Sequence, residues 1–282
     1  MIKFQRMENG WALLKASWEV LSKDRKLVMF PIISMMSVIL VTLTFTFPIV
    51  QTGLIHHIAA GDKDSMILGG ILLFILYIIN YTLIFYCNTA LVSAALIHFH
   101  GGTPSISDGF QYANRHLRAI VIYAMIASTV GIFLQFLKER GIVGEFISAF
   151  MGAAWNVASF LVIPILVIEK VGPIDALKRS ISLIKTTWRE YLGGEFGFGL
   201  IFFLLFALTF ISGIYVVIAS FQISSFLGFS ALVVALLALF GLHLIGSALQ
   251  SIYATAVYLY TTTGTTNNYF SENLIQKAFK DK

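Results

Sequence analysis

Long apolar runs separated by short polar segments dominate the chain, and each run can form a helix that crosses a bilayer. Such a helix needs about 20 mostly apolar residues, and the 76 residues from Phe196 to Ser271 contain no Asp, Glu, Lys or Arg. The pattern predicts six spanning helices, at about 27–52, 66–97, 119–137, 146–168, 198–220 and 231–261. The weakest break between them is "GFS" at 228–230. A seventh span, made by splitting the last apolar run, stays an alternative.

Composition agrees with lipid as the main solvent of this chain. Only 12% of the residues are charged and 58% are hydrophobic, whereas about 25% of the residues of a soluble domain are charged. The single cysteine, Cys87, excludes a disulfide framework within the chain. We therefore expect an all-α, polytopic transmembrane helix bundle.

The basic residues predict the orientation of the spans. With six spans, 16 of the 19 Lys and Arg residues fall on the side of the N-terminus, and only Lys63, Lys138 and Arg140 fall on the other side. Because basic residues concentrate on the cytoplasmic side, both termini are expected there. The localisation that follows is the inner, or cytoplasmic, membrane of a bacterium. This bias also explains the net charge of +5 without a nucleic-acid partner.

Two segments outside the spans have a helical apolar stripe beside basic residues. In "GPIDALKRSISLIKTTWREYLGG" at 172–194, the stripe consists of Ile174, Leu177, Ile181, Ile184, Trp188 and Tyr191. Near the N-terminus it consists of Trp11, Leu14, Trp18 and Leu21. An amphipathic helix of this type lies at the cytoplasmic membrane interface or packs across helix ends. Its lipid- or partner-binding candidates are Lys15, Trp18, Lys178, Arg179, Lys185, Trp188 and Arg189.

These segments also predict an internal repeat. A shift of 163 aligns "LLKAS" at 13–17 with "ALKRS" at 176–180, and a shift of 67 aligns Asp108–Gln111 with Asp175–Lys178. We expect three hairpins, each preceded by an amphipathic interfacial helix, with approximate threefold pseudosymmetry. The repeat units are about 8–100, 101–170 and 171–262, within a single integral membrane domain of residues 1–282. Residues 263–282 form a cytoplasmic tail.

The stretch "VIEKVGPIDALKRSISLIKTTWREYLGG" resembles a signature of prokaryotic polytopic membrane proteins grouped only as a family of unknown function. "NTALVSAALIHFHGGTPSISDGF" at 88–110 and "GAAWNVASFLVIPILVIE" at 152–169 resemble the same family. More distantly, the "ALKRS…W" helix is similar to one in the membrane domain associated with glycerophosphodiester phosphodiesterases. The resemblance implies a membrane fold and transfers no catalytic residues.

The sequence contains no catalytic motif, so we expect a protein that is not an enzyme and uses no cofactor. The pair His56-His57 is a poor metal site, since neighbours in a helix point about 100° apart. No metal site is predicted. His98, His100 and His116 cluster around the second cytoplasmic loop, where they are interfacial polar residues or sense pH or a headgroup phosphate.

A small polar set lies within the predicted spans. Its members are Asn80, Asn88, Asn156, His243 and Gln250. Hydrogen bonds between helices explain most of them, and His243 is a candidate for a proton- or ligand-linked role. Pro164, in the middle of span four, predicts a kink.

Three functions fit these features. The first is a scaffold or accessory protein that engages anionic lipid or a protein partner, or assembles as a homo-oligomer, through its basic helices. The alternative is a small-solute or lipid transporter or channel, which broken helices and buried charges would favour. An intramembrane enzyme acting on lipid is the third, without a motif that supports it.

Overall fold

The structure, a computed structural model, describes residues 2–186 and 188–263; the side chains of 2–10, 12–13, 186 and 188–198 are outside the description. Within these ranges every regular element is a helix. The helices are α1 (Ile2–Lys23), α2 (Met29–Gln51), α3 (Leu54–Ala59), α4 (Lys63–Phe99), α5 (Ile106–Arg115), α6 (Leu117–Lys138), α7 (Gly141–Ser159), α8 (Val162–Glu169), α9 (Pro173–Thr186), α10 (Trp188–Ile223) and α11 (Ser225–Thr263). A short 3₁₀ helix, Arg25–Val28, joins α1 to α2.

Six of the described segments are long and apolar enough to cross a membrane, as predicted. They are Arg25–Gln51, Lys63–Phe99, Leu117–Lys138, Gly141–Glu169, Gly199–Ile223 and Ser225–Thr263. The all-helical class and the six spans are therefore confirmed. The seventh span is not found in the described part of the chain, because the last apolar run forms one continuous helix.

The predicted break at 228–230 is wrong, since the chain turns earlier, at Ser224. Gly228 lies inside α11, and a Cβ at this position would overlap the ring of Phe221 in α10. This glycine allows the two helices to approach closely where they meet, and does not end a helix.

Span four is interrupted close to Pro164, as expected for a proline inside a helix. The ring of Pro164 removes the amide that would bond to the carbonyl of Phe160, and it clashes with that carbonyl. Accordingly α7 ends at Ser159 and α8 begins at Val162. The expected kink is thus a two-residue interruption, one turn before the proline.

Residues 29–184 form one compact unit. Within it α2 packs on α4, α4 on α6 and α8, and α6 on α7. Its best buried segments are the last third of α4, where residues 89–95 are buried, and α8, where residues 162–167 are buried. The core of this unit therefore lies at the end where α4 leads into α5 and α8 leads into α9.

The described residues among 1–28 and 185–263 form the second compact unit. Its described helices are α1, α10 and α11, and α1 packs on both others. The buried part of α11 is its C-terminal half, where 252–258 are all buried. The N-terminal half of α11 instead exposes large apolar side chains such as Phe226, Val234 and Leu237. Apolar surface of this extent requires hydrocarbon around it.

Candidate functional site

The buried face of the basic helix α9 does not coincide with its apolar stripe. Ile174, the first member of the predicted stripe, is 56% exposed, whereas Ala176 and Ser180 are completely buried and Ile184 is 2% exposed. The predicted stripe is therefore only the edge of the buried face. Small side chains at 176 and 180 let the helix approach its neighbours more closely than Leu or Ile would.

Ser180 has a definite role at this contact. Its hydroxyl oxygen accepts a hydrogen bond from the amide of Leu161, at 3.4 Å. Leu161 lies in the interruption before Pro164, where amides lose their helical partners. Both groups are buried, and a buried amide without a partner is costly. Ser180 thus fastens α9 to the broken span.

The opposite face of α9 carries its charges. Lys178 and Lys185 are exposed and form no ion pair with any described residue. Arg179 differs, because its Nε donates to the carboxylate of Glu169 at 3.2 Å. The side chains of Trp188 and Arg189, which complete the predicted surface, lie outside the described residues.

Helix α1 shows the same arrangement. Ser17 and Val20 are completely buried and Leu21 nearly so, while the two tryptophans of the predicted stripe, Trp11 and Trp18, are 58% and 49% exposed. Both tryptophans therefore lie outside the buried face that contains Leu21. Exposed Trp beside the exposed Lys15 is typical of a helix at a membrane interface, where the indole meets apolar and polar layers together.

Helix α5 is held at its start by a capping box. The Ser105 hydroxyl accepts from the Asp108 amide at 3.1 Å, and the Asp108 carboxylate accepts from the Ser105 amide at 2.9 Å. The hydrogen bonds from the side chain and the backbone of Ser105 lower the pKa of Asp108, because they favour the ionised carboxylate. At neutral pH this cap is therefore fully formed.

Close backbone contact and aromatic packing dock α5 on the ends of the spans. A Cβ on Gly109 would lie 2.7 Å from the carbonyl oxygen of Ala90 and 2.7 Å from the Phe30 ring, so only glycine fits. Phe110 packs edge-on against Phe30, with centroids 5.3 Å apart. The hydroxyl of Tyr86 donates to Asn114 at 2.9 Å. Helix α5 therefore packs against the start of α2 and the last third of α4.

Several positions related by the predicted shifts are buried in both helices, although Ala16 is buried where the aligned Arg179 is exposed. Ser17, Val20 and Leu21 of α1 align with Ser180, Leu183 and Ile184 of α9, and all six are buried. In α5 the buried Gly109 and Ala113 align with the buried Ala176 and Ser180 of α9. Two of the aligned buried positions hold small residues in both α5 and α9.

The intramembrane polar candidates do not share one environment. The amide of Asn80 donates to the hydroxyl of Thr42 at 3.3 Å, linking α4 to α2 in the way expected of such groups. Asn88 is half-buried, whereas Asn156, His243 and Gln250 are exposed on their own helices. His243 forms no hydrogen bond with the residues that the structure describes.

Two of the three clustered histidines flank Tyr112. The ring of His116 stacks on Tyr112, with centroids 4.9 Å apart, and its Nδ1 bonds to the Tyr112 carbonyl at 3.0 Å. His100 and Tyr112 both line a cleft of about 410 Å³ at the ends of α4, α5 and α8. Among the residues described, no group of three or more His, Cys, Asp or Glu could hold a metal ion.

Sequence patterns missed Ser93, Tyr112 and Val167, which also line the cleft. They belong to three helices far apart in the chain, so no local spacing could reveal them. The one sequence feature that could have indicated the cleft is the helix-breaking segment "HGGTP" after α4. It reverses the chain, so that α5 packs on the spans.

Six apolar helices, each long enough to cross a bilayer, define a multi-pass membrane protein. The chain belongs to a family of unknown function (DUF6159), whose model matches residues 67–268. No curated protein and no solved structure matches it. The family membership agrees with the resemblance seen in the sequence, while the similarity to the phosphodiesterase membrane domain stays a prediction.

Proposed function

We propose that this protein is a non-catalytic membrane scaffold or accessory protein of the bacterial inner membrane. Its basic interfacial helices engage anionic lipid headgroups, or an acidic protein partner, on the cytoplasmic side. Both termini then lie in the cytoplasm, which agrees with an even number of spans and with the excess of Lys and Arg on that side.

The observation that carries the proposal is the exposed face of the amphipathic helices. Lys15, Lys178 and Lys185 are exposed and form no ion pair among the residues described, so their charge is available to an external anion. Exposed apolar side chains accompany them, Trp18 on α1 and Ile174 on α9. A surface that offers both cations and apolar groups suits the boundary between headgroups and hydrocarbon.

The same helices support three copies of one structural device. Each copy consists of an interfacial helix followed by a hairpin of two spans, and the three copies are related by approximate threefold pseudosymmetry. Support comes from the buried positions that α1, α5 and α9 have in common at the predicted shifts. In this arrangement the small buried residues hold each helix against the spans, and its charged face stays available.

Charge reversal tests the lipid role. Lys178→Glu/Lys185→Glu should lower the enrichment of anionic over zwitterionic lipid around the purified full-length protein by at least about 30-fold, since each cation near an anionic surface contributes about 1 kcal/mol. Native mass spectrometry of bound lipids measures this ratio.

The matched control is Lys63→Glu/Lys138→Glu, which makes the same charge change at exposed positions on the predicted outer side. It should leave the enrichment unchanged. Equal ratios for wild type and Lys178→Glu/Lys185→Glu would refute lipid engagement by α9. Loss of a co-purified protein, with lipid unchanged, would instead favour the partner.

A further inference from the structure

The cleft at the ends of α4, α5 and α8 is lined by Ser93, Leu96, Ile97, His100, Gly102, Tyr112 and Val167. Its volume is about 410 Å³, which is within the range of small-molecule sites. All of its lining residues belong to the compact unit of residues 29–184. We propose that it binds the headgroup of a phospholipid that has both a negative phosphate and hydroxyl groups, as phosphatidylglycerol has.

The position of the cleft along α4 places it at headgroup depth. Ser93 lies 27 residues after Met66, where the charged start of the helix gives way to apolar residues. At about 1.5 Å per residue the separation is about 40 Å. A bilayer has a core of about 30 Å and a total thickness of about 40–45 Å, and a tilt of about 20° shortens the vertical distance only slightly. A lipid headgroup is the ligand present at this level.

The polar groups of the cleft are arranged to accept hydrogen bonds. The Ser93 hydroxyl donates its proton to the Thr89 carbonyl at 2.7 Å, and the Tyr112 hydroxyl donates to the Val167 carbonyl at 3.0 Å. Nδ1 of His100 lies 2.7 Å from the Leu96 carbonyl, and because a carbonyl only accepts, Nδ1 carries the proton. The remaining lone pairs, including that of Nε2 in the His100 tautomer with its proton on Nδ1, therefore suit a ligand that donates.

Two basic residues close in the chain to the cleft residues favour some hydrogen-bond-donating ligands over others. Arg115 follows Tyr112 by three residues on α5, and Lys170 follows Val167 by three residues after α8. Both are exposed and have no ion-pair partner in the described ranges. Because each lies only three residues from a residue that lines the cleft, their positive charge favours an anionic phosphate over an ammonium headgroup. Leu96, Ile97 and Val167 supply the apolar wall on which the glycerol backbone and the first acyl carbons pack.

This inference rests on the proposed function and narrows it to one site. Binding of single lipids to the full-length protein in detergent tests it, with phosphatidylglycerol, phosphatidylmethanol, phosphatidylethanolamine and phosphatidylcholine added in turn. Phosphatidylmethanol has the same charge as phosphatidylglycerol but no hydroxyl. The difference in affinity between these two lipids therefore tests the hydrogen bonds proposed for the cleft. The comparison of both anionic lipids with phosphatidylcholine tests only the proposed function.

We expect phosphatidylglycerol to bind more tightly than phosphatidylmethanol, by roughly 2- to 10-fold for each hydrogen bond formed in the cleft. Ser93→Ala and His100→Ala should each reduce this ratio. Ser128→Ala is the matched control for the first, because Ser128 is also a buried serine that donates to the carbonyl four residues earlier. His57→Ala, at an exposed histidine of the other end of the unit, is the control for the second.

Equal binding of the two anionic lipids would overturn the cleft proposal and leave the proposed function intact. Unchanged ratios in both Ser93→Ala and His100→Ala would also overturn it. Phosphatidylethanolamine binding as tightly as phosphatidylglycerol would contradict the preference for a net negative headgroup without an ammonium group. If neither anionic lipid binds better than phosphatidylcholine, the proposed function fails as well.

Discussion

At the scale of single residues, the cap of α5 gives a direct test of how this helix is held. Ser105→Ala removes the hydroxyl that accepts from the Asp108 amide, and such a change costs about 1 kcal/mol. We expect a lower melting temperature of the purified protein. Ser107→Ala, at an exposed serine in the same turn, should change it little, and an equal effect of both variants would contradict the capping role.

The carboxylate of the same cap predicts a pH dependence. Because hydrogen bonding lowers the pKa of Asp108 below 3.8 in the folded protein, its stabilising contribution is complete above pH 3.8 and is lost as the pH falls through the folded value. The difference in melting temperature between wild type and Asp108→Asn should be constant from about pH 7 to 5 and should narrow below 3.8. A difference that widens in acid would contradict this assignment.

Which side of each amphipathic helix is buried could not be predicted from hydrophobicity alone. The helical stripes located α1 and α9 correctly, but the structure buries Ser17 and Ser180 and exposes Trp11, Trp18 and Ile174. Close approach to a span favours a small side chain with a local hydrogen-bonding role over a large apolar one. At a membrane surface an exposed Trp has a favourable environment. An apolar stripe in the sequence therefore does not show whether its residues are buried in the protein or exposed to lipid.

At the scale of elements, the aligned small residues predict matched effects in different helices. Ala113→Leu in α5 and Ser180→Leu in α9 should both lower the melting temperature strongly, since overpacking a buried site costs about 1–3 kcal/mol. The exposed positions Gln111 and Lys178, which are aligned with each other, provide controls as Gln111→Leu and Lys178→Leu. Destabilisation by one buried substitution without the other would contradict the equivalence of the two helices.

The ends of the helices show where residues close together in the sequence were enough to predict the structure. The proline rule placed the interruption of span four, because the clash of Pro164 with the carbonyl four residues earlier depends only on the chain itself. The glycine of "GFS" led to a wrong prediction of a helix break, because Gly228 lies against Phe221 of the neighbouring helix. Its role depends on a partner that no window of the sequence contains.

At the scale of the whole molecule, the number of spans follows from the apolar runs, because hydrocarbon imposes a minimum length on each crossing helix. The all-helical class follows for the same reason. The cleft at the ends of α4, α5 and α8 did not follow, since its residues come from segments up to 74 positions apart, from Ser93 to Val167. The polar candidates within the spans gave no shared site, because Asn80 bonds to Thr42 of α2, whereas Asn156 and His243 are exposed on their own helices.

The central claim is that the interfacial helices contact anionic lipid on the cytoplasmic side, and the fluorescence of Trp18 tests it most directly. Trp18 is 49% exposed on α1, beside Lys15. A protein that retains only this tryptophan, with Trp11, Trp155 and Trp188 changed to Phe, is reconstituted with lipids that carry a quencher at a shallow or a deep position. We expect strong quenching by the shallow group, and stronger quenching when it is attached to an anionic than to a zwitterionic lipid. Weak quenching at both depths, or equal quenching by the two headgroups, would contradict the account.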